Sequence, residues 1–152
     1  MQSTTIEKFT VRGIAIRTSN DPGAADKAIP ALWNRFYTDG ISGKIADKVS
    51  DDIYAVYTAY EKDATMAYTA ILGHKVSDAS PAQEGFETVS IAPGNYRVFT
   101  ATGDLQKGIV YEQWVAIWNE PLNRKYTTDF EVYGERSRNN DNASVDIFVA
   151  IQ

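Results

Sequence analysis

One order of elements occurs twice along this chain, and that most restricts how it can fold. Residues 11–16 alternate as a strand after a polar start, and Ser19-Asn20-Asp21-Pro22-Gly23 breaks the pattern. Residues 24–37 have helical period, with Ala25, Ala28, Ile29, Leu32, Trp33 and Phe36 on one apolar stripe. Pro30 within that segment marks either the true helix start or a kink, and Gly40 and Gly43 end it. Residues 53–60 and 66–72 read as a hairpin around Glu61-Lys62-Asp63. The second half follows suit. Residues 86–91 are a strand or its approach, Ala92-Pro93-Gly94-Asn95 a turn, and 96–102 a strand. Residues 105–118 form a helix with Ile109, Val110, Trp114 and Ile117 near one face, ended by Pro121. Strand 130–133, a polar connection at 136–142 and strand Ala143–Ile151 close the chain.

Ile53-Tyr54-Ala55-Val56-Tyr57 can be laid on Asp129-Phe130-Glu131-Val132-Tyr133, so that Ala55 matches Glu131 and Tyr57 matches Tyr133. Ala31-Leu32-Trp33-Asn34 matches Glu112-Gln113-Trp114-Val115 more weakly, through the tryptophan. Two α+β halves alike only in composition are the alternative; a tandem βαββ duplication is the preferred reading. It predicts one α+β domain over residues 1–152, with halves at about 1–78 and 84–152. The sheet is expected to be largely antiparallel, with both helices on one face and a groove between the units. Phe130, Val132, Tyr54, Val56 and the Val145, Ile147, Val149, Ile151 stripe are expected under the helices. The opposite face then carries Ala55, Tyr57, Glu131 and Tyr133, with Phe148 as an addition.

Composition narrows the function. With 15 basic and 20 acidic residues, net charge −5 and no Lys/Arg-rich run, the chain is not expected to bind nucleic acid directly. It has no cysteine, hence no disulfide, thiolate nucleophile or Cys-ligated metal. The N-terminus lacks an apolar signal core, and no apolar run approaches the roughly 20 residues of a spanning helix. A cytoplasmic, membrane-free protein is the expectation. His74, the single histidine, reads as a surface or satisfied polar residue and cannot anchor a His-rich metal site. Ser77, Ser80 and Ser90 lack a nucleophile-elbow context, and Gly-rich phosphate loops are absent. No metal, no cofactor and no catalytic residue is assigned.

Glu131 is the candidate functional residue. Alternation sets it beside Tyr133, and a carboxylate next to an aromatic ring attracts an organic cation. The bland alternative is a rim carboxylate in water or paired with Arg124, Lys125 or Arg136. A sheltered carboxylate needs hydroxyl partners, for which Tyr57 and Tyr133 are candidates. Trp33 and Trp114 lie on helix stripes and read first as core. Trp118, near a helix end, reads as a groove lip or a protein contact.

The duplicated order, the helix with Trp114, the segment Asp129-Phe130-Glu131-Val132-Tyr133 and the terminal strand Val145-Asp146-Ile147-Phe148-Val149-Ala150-Ile151 resemble the GyrI-like effector-binding family. Val11-Arg12-Gly13-Ile14-Ala15 and Ala92-Pro93-Gly94-Asn95-Tyr96 are similar to it as well, so the likeness spans nearly the whole chain. This family shares its architecture with ligand-sensing domains of multidrug-responsive bacterial regulators. The resemblance implies a groove for flat, often cationic organic molecules, with Glu131 as counter-charge and Tyr57, Tyr68, Trp114 and Trp118 as candidate aromatic walls; Tyr133 joins the ligand-binding candidates by its place beside Glu131. The chain has no room for a helix-turn-helix module, so a stand-alone binder is expected. The family leaves two alternatives: an inhibitory module that binds a protein partner, and a hydrolase of strained electrophiles. In the hydrolase reading Glu131 is base or nucleophile, and Asp146 is the nearest second carboxylate.

Overall fold

Among the described residues eight strands pair as one sheet, and burial alternates most clearly in the final one, where Ala143, Val145, Ile147 and Val149 are buried. They are β1 (Gln2–Ile6), β2 (Phe9–Thr18), β3 (Lys48–Thr58), β4 (Tyr68–Val76), β5 (Glu87–Ile91), β6 (Gly94–Gly103), β7 (Arg124–Tyr133) and β8 (Ala143–Ile151). The sheet order is β1-β6-β8-β7-β3-β4-β2-β5, and every pairing is antiparallel. Helices α1 (Ala25–Thr38), α2 (Ile41–Lys44) and α3 (Ile109–Trp118) complete an α+β fold. The computed structural model describes residues 2–63 and 65–152; Met1, which opens the polar N-terminus, lies outside them. No helix among the described residues is long and apolar enough to cross a membrane.

The runs β2-α1-β3-β4 and β6-α3-β7-β8 occupy the two sides of the sheet and meet where β3 pairs with β7. α1 continues through Pro30, so that proline is not the helix start. The helix expected over 105–118 is interrupted. Asp104 caps a 3-10 turn at Leu105–Lys107, its Oδ1 accepting from the Gln106 amide. Gly108 then takes a left-handed φ of 74°, and α3 begins beyond it.

On β8 the expected residues Ile147 and Val149 do lie under a helix, but on β3 and β7 the helix side is the opposite of the one alternation suggests. Leu32 and Phe36 of α1 pack with Ile14, Ala55 and Leu72, against which Tyr57 and Tyr133 also rest. Ile117 of α3 packs on Phe99, Ile147 and Val149. Val56, Phe130, Tyr54 and Val132 instead belong to a cluster built from strands, with Phe9, Ile91 and Tyr96. Sheet curl makes this possible. β2 is separated from β7 by β4 and β3, yet Phe9 and Phe130 have ring centroids 5.5 Å apart. Strands about 4.8 Å apart could not bring those rings together in a flat sheet. Phe148 joins this second face, stacked on Phe130 at 4.6 Å, and so is not a neighbour of Glu131. Glu131 therefore projects toward the helices, not away from them.

His74 lies within β4 and is 1% exposed. Its Nδ1 is 2.9 Å from the Asp52 carbonyl, which can only accept, so Nδ1 carries the proton and Nε2 accepts from the Ser42 hydroxyl. Burial holds its pKa below the usual 6.5. An unfolded chain takes up this proton first. The His74 contribution to stability is thus complete above about pH 6.5 and declines as pH falls from there toward the lowered folded value. Thermal melts between pH 7.5 and 5 should show a smaller acid-side loss in His74→Gln than in the wild type.

Candidate functional site

The site is built on the junction of β3 and β7, where Ala55 and Glu131 are direct cross-strand partners. Ala55 is small, which leaves room above it for the neighbouring carboxylate. Tyr57 lies two residues along β3 and Tyr133 two residues along β7; because the strands run oppositely, the rings stand on either side of Glu131. Tyr133 donates to Oε1 at 2.6 Å and Tyr57 to Oε2 at 2.9 Å. From α3, the Trp114 indole Nε1 donates to Oε2 at 2.6 Å.

Glu131 is 2% exposed. Of the basic residues named as its partners, Arg124 bonds Asp129 at 2.8 Å, Arg136 bonds Asp146 at 2.7 Å, and Lys125 is exposed. Among the described residues Glu131 makes no ion pair. Burial pushes its pKa up, while the bonds from Tyr133, Trp114 and Tyr57 pull it partly back. Tyr57 and Tyr133 are raised well above the ordinary phenol value, by burial first and then by the Glu131 charge, so both remain donors.

Above this carboxylate lies a cleft of about 710 Å³ between α1 and α3. All six residues singled out in the sequence line it: Glu131, Tyr57, Tyr133, Tyr68, Trp114 and Trp118. Tyr57 meets Trp114 edge-on at 5.6 Å and Tyr68 at 5.9 Å. Burial, followed by the Glu131 charge, pushes the Tyr68 phenol up to about 12. Trp33, read first as core, is a wall as well, edge-on to Tyr133 at 4.8 Å. Asp146 is not a wall; it is held by Thr100 and Arg136 and does not supply a second carboxylate here.

A polar group at one end was not foreseen. Asp129 is fully buried and accepts from Arg124, from the Tyr60 hydroxyl at 2.5 Å and from the Ala150 amide at 2.9 Å. Burial raises the Asp129 pKa against the pull of Arg124. An irregularity of β7 between Arg124 and Asp129, with Tyr126 at a φ of 57°, lets residues five apart meet. The Arg124 guanidinium lies 4.5 Å over the Tyr126 ring and 5.9 Å from that of Trp114. A protein cation at the cleft wall thus already faces a cleft aromatic, Trp114, and is neutralised by its own acid.

A curled antiparallel sheet with an aromatic cleft over its central strand junction defines a GyrI-like effector-binding domain. The chain belongs to the Cass2 family, described as integron-associated effector binding protein, whose model matches residues 4–151. It is 31% identical over 146 residues to YobU of Bacillus subtilis (strain 168), provisionally named a transcriptional regulator, covering 92% of this chain and 90% of YobU. It is 32% identical to the integron cassette protein VCH_CASS2 from the mobile metagenome of Vibrio cholerae, with a TM-score of 0.73 over 99% of this chain and 95% of that one. The protein SAV2435, solved with tetraphenylphosphonium bound, shares the fold at 17% identity, with a TM-score of 0.75 over 99% of this chain and 93% of that one.

Proposed function

We propose that this protein is a receptor for amphipathic organic cations, aromatic ones above all, held in the cleft between α1 and α3 with Glu131 as their buried counter-charge. The carrying observation is that Glu131 is 2% exposed, hydrogen-bonded three times and, among the described residues, not ion-paired. An uncompensated buried carboxylate is costly, and such groups concentrate at functional sites. The walls fit the rest of the ligand: Trp33, Trp114, Tyr57 and Tyr133 offer ring faces and edges to a flat or aryl-substituted molecule. The cation bound by SAV2435 is of this class, with its charge enclosed by aryl groups. Such an ion does not need direct contact with an acid; a carboxylate behind a layer of rings acts through a weakly screening interior.

The same reading includes a tandem duplication, with halves at about 1–78 and 84–152, helices on one side of the sheet and the groove between units. Ala55 and Glu131, matched by sequence, are cross-strand partners, as expected where an approximate two-fold axis passes between equivalent strands. Trp33 on Tyr133 and Trp114 on Tyr57 are then equivalent contacts. Glu131 belongs to one half only, so the buried carboxylate has no counterpart at the matching position, Ala55, while Asp21, Asp26 and Arg124 also line the cleft.

Calorimetric titration at pH 8 with tetraphenylphosphonium and with the neutral triphenylphosphine oxide tests the proposal. A preference of about tenfold or more for the cation is expected. Equal affinity for the two would remove the counter-charge role.

A further inference from the structure

A second cavity, of about 690 Å³, adjoins the Glu131 cleft; Trp33, Val110 and Tyr133 line both. Tyr133 is the joint between them. Its hydroxyl holds Glu131 Oε1, and its ring meets Trp33 edge-on at 4.8 Å. The second cavity is lined further by Tyr37, Ile53 and Leu105. Tyr37 stacks on Trp33 at 6.0 Å yet is 65% exposed, so a large ring beside the cavity is left open to water. Such a ring is a ready surface for another aromatic group. The charges here differ from those around Glu131. Asp51 and Arg138 both line the cavity and are of opposite sign, so it offers no net counter-charge.

We infer that this cavity is a second subsite, taking the uncharged aromatic arm of an extended organic monocation whose charged head sits over Glu131. The inference rests on the proposed cation-binding function and adds the ligand's shape and charge count. A compact cation fills the first chamber alone. A longer monocation gains apolar burial against Trp33, Tyr37 and Leu105 without a second charge to satisfy. A dication of the same length gains less, because its far charge is desolvated where acid and base offset each other.

Three probes test this by calorimetry: tetraphenylphosphonium, a triphenylphosphonium joined by a butyl linker to naphthalene, and a bis(triphenylphosphonium) of similar length. The naphthyl monocation should bind about tenfold or more tighter than tetraphenylphosphonium, and tighter than the dication. Leu105→Trp, which fills the second cavity, should abolish that gain while changing tetraphenylphosphonium affinity by less than about twofold. Tyr37→Ala, at an exposed position, should reduce the gain from the other wall. No gain from the arm, a gain that survives both substitutions, or tighter binding of the dication overturns the inference. Glu131→Gln separates the two levels. If it weakens tetraphenylphosphonium and the arm still adds nothing, the second subsite fails and the cation site stands. If it leaves tetraphenylphosphonium binding unchanged, both fail.

Discussion

Glu131→Gln should weaken binding of a lipophilic monocation by about 10- to 100-fold while leaving a neutral aryl ligand within about twofold. The size follows from one unit charge acting over about 5 Å at an effective dielectric near 20, about 3 kcal/mol before the ligand's own shielding. Glutamine keeps the volume, and its carbonyl can still accept from Tyr57 or Tyr133, so the walls should hold their places. Stability provides the control, and its sign can be worked out. Burial raises the folded pKa of Glu131, so the folded state binds this proton more readily than the unfolded chain. Stability therefore falls as pH rises through that window and stays lower above it. Removing the ionisable group lifts the penalty, and at pH 8 the variant should melt no lower than the wild type. A bound cation favours the ionised form, so wild-type affinity should fall as pH drops through the raised pKa. Binding there should release a proton, read as a buffer-dependent heat that vanishes in the variant. A variant that loses cation and neutral ligand equally would show that the substitution damages the walls and that charge is not what Glu131 supplies.

The sequence disclosed register better than surroundings. Strand Ala143–Ile151 is legible because Ala143, Val145, Ile147 and Val149 recur at every second residue. The same two-residue period sets Glu131 on one face with Tyr133 and, across β3, Tyr57. Alternation divides a strand into two faces but does not say which face receives a helix. Both faces here are apolar, Tyr54, Val56 and Phe130 on one and Ala55, Tyr57 and Tyr133 on the other. Sheet curl, a long-range property, let the first face be covered by Phe9 and Tyr96, and the helices took the other. Without that information the stripe position of Trp33 reads as core. The Asp129, Arg124 and Tyr60 group left no local signal, since its members meet only through an irregular strand and a hairpin 69 residues away. Arg12 is a like case: a fully buried arginine satisfied by Thr88, Ser80 and the carbonyls of Ala46 and Pro81, all distant in sequence.

Gly13→Ala should cost the fold about 3–5 kcal/mol, out of a total of about 5–15 kcal/mol for a domain of this kind. Gly13 and Gly73 are partners in the β2–β4 ladder. A Cβ on Gly13 would sit 1.8 Å from the Leu72 carbonyl oxygen and 2.5 Å from its carbon. One on Gly73 would meet the Arg12 carbonyl oxygen at 2.0 Å. These are backbone atoms that cannot rotate aside, so the strands must part. Parting them strains the register that sets Ile14 and Leu72 in the core under α1 and Arg12 among its acceptors. The contrast is Gly43 in α2, where an added Cβ meets nothing within 4 Å. Gly43→Ala should leave the midpoint of urea unfolding unchanged or slightly raised, as alanine favours helix by about 1 kcal/mol. Urea titration of the two variants side by side checks the argument. If Gly13→Ala unfolds at the wild-type midpoint, β2 and β4 do not approach as closely as their paired glycines require.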